Sequence, residues 1–327
     1  MMKRRLGSDG PEIGAIALGC MSFGGFYGAT DEATSHRALD AAWDHGITHL
    51  DTANVYGMGV SEEIIGTYVK RHPGRFSIAT KAGNTRNTER RFNNSPEHLR
   101  ESLEASLRRL GVDHVELFYL HRREQALPIE AVMETMVRFQ EEGKIGGIGL
   151  SEVSPGTLRR AAAVHPIMAM QSEYSLWTRL PELGLLKACT DLGTAFVAFS
   201  PLGRGVFTDV MPDPATFPQH EFRRDNPRFS EDNWRFNRIY AERFATYARE
   251  RGVSTAALAL AWLLNRAPHV IPIPGTRTAE HIADWAPAGD MVLTPADMAE
   301  IEEILPAGFA HGDRYNETQN RGPERYC

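Results

Sequence analysis

Cysteine is scarce in this chain of 327 residues. Cys20, Cys189 and Cys327 are too few and too scattered for a disulfide framework, and no CxxC pair is present. A reducing compartment is therefore expected. Long apolar runs are also missing. The longest, Ala256 to Leu264, falls far short of the ~20 residues that span a bilayer. The basic N-terminus, MMKRRLGSDG, has no apolar stretch behind it, so no secretory signal is expected. These absences point to a soluble cytoplasmic protein. Positive charge is not in excess either: Lys and Arg total 36 against 42 Asp and Glu, a net charge of −6. That balance argues against nucleic acid or an anionic membrane as a partner. Short basic clusters, Arg122–Arg123 and Arg223–Arg224, read as solvated surface.

Several chemical signatures are absent as well. There is no HExxH and no close His/Cys/Asp grouping with metal-ligand spacing, so no metal is expected. Gly149-Leu-Ser-Glu-Val lacks the final glycine of a nucleophile elbow, and there is no P-loop. Gly57-Met-Gly59 and Gly147-Ile-Gly149 both lack the third glycine of a dinucleotide turn.

What the chain does have is alternation. Short apolar runs lie at Ile16–Leu18, Ile47–Asp51, Phe76–Lys81, Val115–His121, Ile145–Ser151, Met168–Gln171, Phe196–Ser200 and Val270–Pro274. Amphipathic stretches separate them: Asp31–His45, Ser61–Arg71, Ser95–Leu110, Pro128–Glu142, Ser154–Val164, Glu182–Leu192, Asn233–Arg251 and Ser254–Arg266. Hydrophobic content of 42% supplies a large core. Regular β-α alternation implies a parallel sheet with right-handed crossovers, and eight units close into a (β/α)8 TIM barrel. An open doubly wound sheet is the alternative, disfavoured by the missing glycine fingerprint. No linker divides the chain, so residues 1–327 are expected to form one domain, the barrel at about 12–305 and a polar tail at 306–327. A second irregular stretch, 203–232, is a candidate cover for a ligand.

Chemistry in such barrels gathers where the strands end. Those ends are Asp51, Lys81, His121, Ser151, Gln171 and Ser200, polar without exception. One polar strand end means little; six form a ring around one mouth. A lysine there loses hydration and needs an anion, and Asp51 is one strand away. Tyr56, five residues past Asp51, can reach the same pair. At ~4 Å and an effective dielectric near 20, Lys81 would favour phenolate by about 4 kcal/mol, roughly three pH units. Asp51 and desolvation take some of that back. The expectation is a tyrosine poised toward neutrality as a general acid, with His121 able to donate to a substrate oxygen. Protonating a carbonyl oxygen while hydride arrives at carbon is the simplest partner reaction.

At these residues the chain resembles the aldo-keto reductase superfamily. "LDTANVYG", "GVDHVELFYLHR" and "IPIPGTR" are similar to its three signatures, and "GLSEVS", "QSEYSLWTR", "FSPLGRG" and "FRRDNPRF" to its bacterial and plant branch. The resemblance runs from an N-terminal hairpin segment, Lys3–Ile16, to about Leu305. It implies a catalytic tetrad of Asp51, Tyr56, Lys81 and His121 and an extended nicotinamide cofactor across the mouth. Ser151, Glu152 and Gln171 would hold the carboxamide, and Phe199 would stack on the nicotinamide. Ser200, Pro201, Leu202, Gly203 and Arg204 would line the pyrophosphate. Gly275, Thr276 and Arg277 form the phosphate site after the last strand, Arg277 meeting the 2′-phosphate, which favours NADPH over NADH. Gly19, Cys20, Met21, Asp51, His281 and Asp284 are also assigned to the cofactor.

The chain departs from the family at three positions. Glu152 stands where many members have asparagine, and can accept from the carboxamide NH2 but not donate to its oxygen. Phe199 replaces a tyrosine or tryptophan. Asp284-Trp285 replaces a Glu-Asn pair. Phe23, Phe26, Tyr27, Trp177, Phe309 and Tyr315 would frame an apolar or aromatic carbonyl substrate. Arg223, Arg224 and Arg228 either close over the cofactor phosphates or sit on the surface. The same resemblance extends to potassium-channel β subunits, a regulatory alternative. That branch carries asparagine in place of His121, and no N-terminal extension to act as a plug is expected here.

Overall fold

The structure is a computed structural model and describes residues 1–85, 91–219 and 221–326. Cys327 and one residue of the 203–232 stretch lie outside the described residues. Strand β1 (Lys3–Arg5) pairs antiparallel with β2 (Glu12–Gly14). Eight strands follow: β3 (Leu18–Gly19), β4 (His49–Asp51), β5 (Ser77–Ala82), β6 (Val115–Leu120), β7 (Ile145–Ser151), β8 (Ala169–Glu173), β9 (Ala195–Phe199) and β10 (Val270–Ile273). They lie side by side in sequence order and all pair in parallel. The ring closes where Gly19 meets Gly275, with Ala17 N–H donating to Pro272 O (3.1 Å) and Gly19 N–H to Pro274 O (3.0 Å). This is a (β/α)8 TIM barrel.

The barrel interior is apolar. Ala17, Ala79, Leu117, Ala169, Val197 and Ile271 form one buried cluster with Leu6 and Ile13 of the hairpin. Ser8 N–H donates to Gly193 O (2.8 Å), just ahead of β9, so the hairpin plugs the floor. Small residues make room for large ones inside. A Cβ on Gly149 would stand 2.3 Å from the Tyr119 ring, and one on Gly147 the same distance from the Met168 side chain. The Gly-Ile-Gly of β7 is thus a packing feature.

The helices wrap the ring: α1 (Glu32–Asp44), α2 (Val60–Arg71), α3 (Pro96–Leu110), α4 (Ile129–Glu141), α5 (Pro155–Ala162), α6 (Leu185–Leu192), α7 (Glu231–Glu250), α8 (Thr255–Leu264), α9 (Ala279–Trp285) and α10 (Pro295–Ile304). Their starts are set by local chemistry. Asp31, Ser95, Ser154 and Ser254 each accept a backbone N–H of the first turn, the signal legible in sequence. The expected Glu182–Leu192 helix is shorter, because Gly184 at φ 126° breaks it from a preceding 3-10 turn at Leu180–Leu183. Every residue of α8 is buried, which accounts for the long apolar run there. No helix among the described residues is long and apolar enough to cross a membrane.

Candidate active site

Asp51 closes β4, Lys81 lies near the end of β5, and His121 directly follows β6. Lys81 is fully buried, and its ammonium donates to Asp51 Oδ1 and to the Thr52 carbonyl (2.8 Å). The second Asp51 oxygen accepts from Gln171 Nε2 at 2.7 Å, a bond reaching across the mouth from β8. Tyr56 enters from a 3-10 turn at Tyr56–Gly59. The Lys81 ammonium lies 5.2 Å from its ring centre, and the His121 ring stands edge-on to it at 6.0 Å. The four side chains therefore meet.

The turn that places Tyr56 depends on close backbone contact. A Cβ on Gly24 would lie 2.5 Å from Gly57 N and 2.6 Å from Tyr56 C. Only a residue without a side chain lets the segment after β3 lie against the Tyr56 turn.

Electrostatics correct one expectation. Burial pushes the Tyr56 phenol above its ordinary value; Lys81 pulls it down, Asp51 pushes it up, and the result is a raised pKa. Desolvation outweighs the ammonium, so the phenol stays protonated at neutral pH. For Lys81, burial favours the neutral amine, but Asp51 and Tyr56 together outweigh it and the pKa is raised. His121 is pushed well down by burial, with Arg122 and Lys81 adding to the effect, and is a neutral imidazole. Its Nδ1 is buried without a partner among the described residues.

The residues assigned to the cofactor fall along an arc from β7 to β10 and across to β3. Ser151 Oγ accepts from Arg122 Nη1 at 3.0 Å. Phe199 is the one residue of β9 that is not fully buried, which leaves its ring available at the mouth. Glu152, Ser200 and Arg204 adopt φ of 57°, 49° and 61°, the left-handed region in which non-glycine residues are strained. Gly19 pairs with Asp51 and meets Gly275. Cys20 N–H donates to Asp51 O (2.8 Å), and Met21 begins the following 3-10 turn half-buried. Gly203 N–H closes a turn onto Ser200 O (3.0 Å) over Pro201 and Leu202. Arg277 Nη1 donates to Ala29 O (3.1 Å) and lies against Gly28, with no carboxylate partner among the described residues. Thr276 is joined to His281 (3.1 Å), and Asp284 is exposed on α9. Trp285 is buried in the core, so it replaces an asparagine by packing inward.

Glu152 and Arg204, both assigned to the cofactor, are held by ion pairs with other residues. Glu152 is buried and receives both arms of Arg314 from the tail, together with Ser172 Oγ (2.7 Å) and Glu173 N–H (3.0 Å). Burial opposes its charge, but Arg314 chiefly holds it at about 2. Arg204 donates to Glu173 (2.8 Å) and is sandwiched between Phe222 (4.8 Å) and Tyr315 (5.1 Å). Its charge is spent on that carboxylate, so the expected pyrophosphate contact needs other donors.

The basic clusters are not plain surface. Arg122 donates to the His121 carbonyl (2.6 Å), Arg123 pairs with Glu324 of the tail, and Arg223 donates to Arg204 O (3.1 Å). Arg228 is buried, donates to Thr178 Oγ1 (2.6 Å) and lies over the Trp177 ring. Arg224 donates to Phe217 O (3.1 Å). Of the expected aromatic walls, Phe26 stands edge-on to Tyr56 at 6.2 Å and Tyr27 lies beside Arg223. Phe23 and Trp177 are core residues instead, Trp177 packing on Phe207 and Phe229, while Phe309 packs on Tyr240.

The profile of the aldo/keto reductase family matches residues 15–306. The chain is 37% identical over 320 residues to the aldo-keto reductase yakc of Schizosaccharomyces pombe, whose name specifies NADP(+), covering 95% of this chain and 94% of that protein. Among solved structures, it is similar to a glycerol dehydrogenase from Gluconobacter oxydans (29% identity, TM-score 0.84, 93% and 94% of the two chains). It is also similar to an aldo-keto reductase from Klebsiella pneumoniae in complex with NADPH (26% identity, TM-score 0.74, 97% and 99%). This chain belongs to the aldo/keto reductase family and is an oxidoreductase of carbonyl groups.

Proposed function

We propose that the protein reduces aldehydes, and by extension ketones, to alcohols with NADPH, using Tyr56 as proton donor. The observation that carries this reading is the buried Lys81 ammonium, bracketed by Asp51 and Tyr56 with His121 edge-on to the phenol. The nicotinamide, when bound, supplies a hydride to the carbonyl carbon. Tyr56, protonated at neutral pH, gives its proton to the carbonyl oxygen, and Lys81 stabilises the phenolate left behind. Asp51 and the Thr52 carbonyl fix the ammonium, so no reorganisation is needed when that charge appears. His121, neutral, has one N–H to donate to the same oxygen.

The residues present fit the cofactor. Phe199 offers a ring face at the mouth, Ser151 a buried hydroxyl, and Arg277 a guanidinium without a carboxylate partner among the described residues for a 2′-phosphate. The NADP(+) in the name of the yeast relative and the NADPH bound to the Klebsiella protein support NADPH over NADH. Two buried free thiols, Cys20 and Cys189, suit a cytoplasmic setting. The test is oxidation of NADPH, and separately NADH, with a panel of aromatic and aliphatic aldehydes. Turnover preferring NADPH, reduced at least ~100-fold in Tyr56→Phe with cofactor binding intact, is expected. Failure to bind either cofactor overturns the reading.

A further inference from the structure

Arg122, the residue after His121, is held by two neutral acceptors, the His121 carbonyl (2.6 Å) and Ser151 Oγ (3.0 Å). No carboxylate among the described residues pairs with it. Two more arginines without a carboxylate partner among the described residues converge on the same place. Gly322 of the tail lies against the Arg122 shaft and the Phe92 ring, since a Cβ there would stand 3.1 Å from Arg122 Cδ and 3.2 Å from Phe92 Cζ. That contact brings Arg321 and Arg91, the neighbours of Gly322 and Phe92, to the edge of the mouth. Arg91 Nη1 also donates to Thr318 O (2.5 Å), and both arginines line one groove of about 780 Å³.

The groove also carries two acids, Glu124 and Glu317, against four arginines, Arg91, Arg123, Arg321 and Arg325, so its described lining is net positive. Glu324 takes Arg123 and the Ser154 N–H (2.8 Å), Glu124 accepts from Asn94 N–H (2.9 Å), and Glu317 is exposed. Burial lowers the Arg91 pKa, and repulsion from Arg122 and Arg321 lowers it further, as expected for like charges gathered without an anion. A chain of net charge −6 has no general surplus of cations to explain this grouping. The cofactor phosphates do not explain it either. Arg122 follows β6, four strands round the ring from β10 and therefore opposite the Gly275–Arg277 phosphate site.

We propose that the substrate is an oxo acid: a carbonyl compound whose own carboxylate sits between Arg122, Arg91 and Arg321, on the side of the mouth opposite the cofactor phosphates. This rests on the reductase reading above. Guanidinium forks match carboxylate geometry, so the anion would orient the carbonyl toward Tyr56 as well as add affinity.

The test compares para-carboxybenzaldehyde with its methyl ester, both with NADPH and the full chain, in the wild type, Arg91→Gln and Arg321→Gln. The acid should be preferred by about tenfold or more in kcat/KM, chiefly through KM. Each variant should cut that preference several-fold and leave ester turnover unchanged, and added salt should do the same. Equal turnover of acid and ester in the wild type overturns the inference and leaves the reductase reading standing. So does a preference that neither variant moves. Turnover of neither aldehyde, with NADPH bound, overturns both.

Discussion

Replacing Arg314 with glutamine should expose how strongly the tail is bound to the mouth. The Glu152 carboxylate is only 3% exposed and keeps its charge at about 2 against an ordinary 4.5, chiefly through the two arms of Arg314. At 1.36 kcal/mol per pH unit that difference corresponds to about 3 kcal/mol. Removing one partner of a buried pair typically costs about 3–5 kcal/mol, because the other charge is stranded. Ser172 and the Glu173 N–H remain as donors, so the lower figure is the better guide. Urea unfolding at pH 7 should therefore show Arg314→Gln destabilised by about 3 kcal/mol. The pH dependence has a fixed sign. A carboxylate with a depressed folded pKa contributes stability that is fully present above its unfolded value near 4.5 and is lost as pH falls toward 2. The gap between wild type and variant should therefore narrow below about pH 5. In the Glu152→Gln background the same arginine change should cost far less. A variant within ~0.5 kcal/mol of wild type at pH 7, or a gap that ignores pH, would refute the reasoning.

Other consequences are as direct. The raised Tyr56 pKa keeps the proton donor in its active form, so kcat/KM for reduction should stay level through neutrality and fall only above pH ~10. The depressed His121 pKa predicts no inflection near pH ~6.5, and one steady-state pH profile checks both. Arg277→Gln should raise the KM for NADPH by about 10- to 100-fold and leave that for NADH alone, as measured by parallel titrations. Gly24→Ala forces a methyl into the backbone carrying Tyr56, and a displacement of ~1 Å should lower kcat by about 100-fold while the cofactor KM holds.

The parts legible in sequence were those written locally. Strand ends showed as polar residues after apolar runs, and helix starts as Ser or Asp one residue ahead, so the barrel and its four converging side chains could be placed. A capping box at Thr294–Asp297 also marked the start of α10, although that helix was not among those expected. What stayed hidden depends on contacts between distant segments. Nothing near Glu152 in the chain announces Arg314, and nothing near Gln171 announces Asp51. The Tyr56 error was one of magnitude: the charge of Lys81 could be read, but the depth of burial, which decides the direction, could not. Trp177 and Phe23 were misplaced for a related reason, since loop position does not show whether an aromatic ring faces the mouth or the core.

The Gln171–Asp51 hydrogen bond has a mechanical consequence. β4 and β8 stand four strands apart in either direction round the ring, so this bond is a tie-beam across a full diameter. Asp51 in turn holds Lys81, which makes the charged centre answer to both halves of the wall at once. If one half of the rim breathes alone, the beam is stretched or broken before the ammonium can drift with it. The width of the mouth is therefore gauged by the length of one glutamine. Gln171→Asn, one methylene shorter, must either draw the rim inward or release the carboxylate.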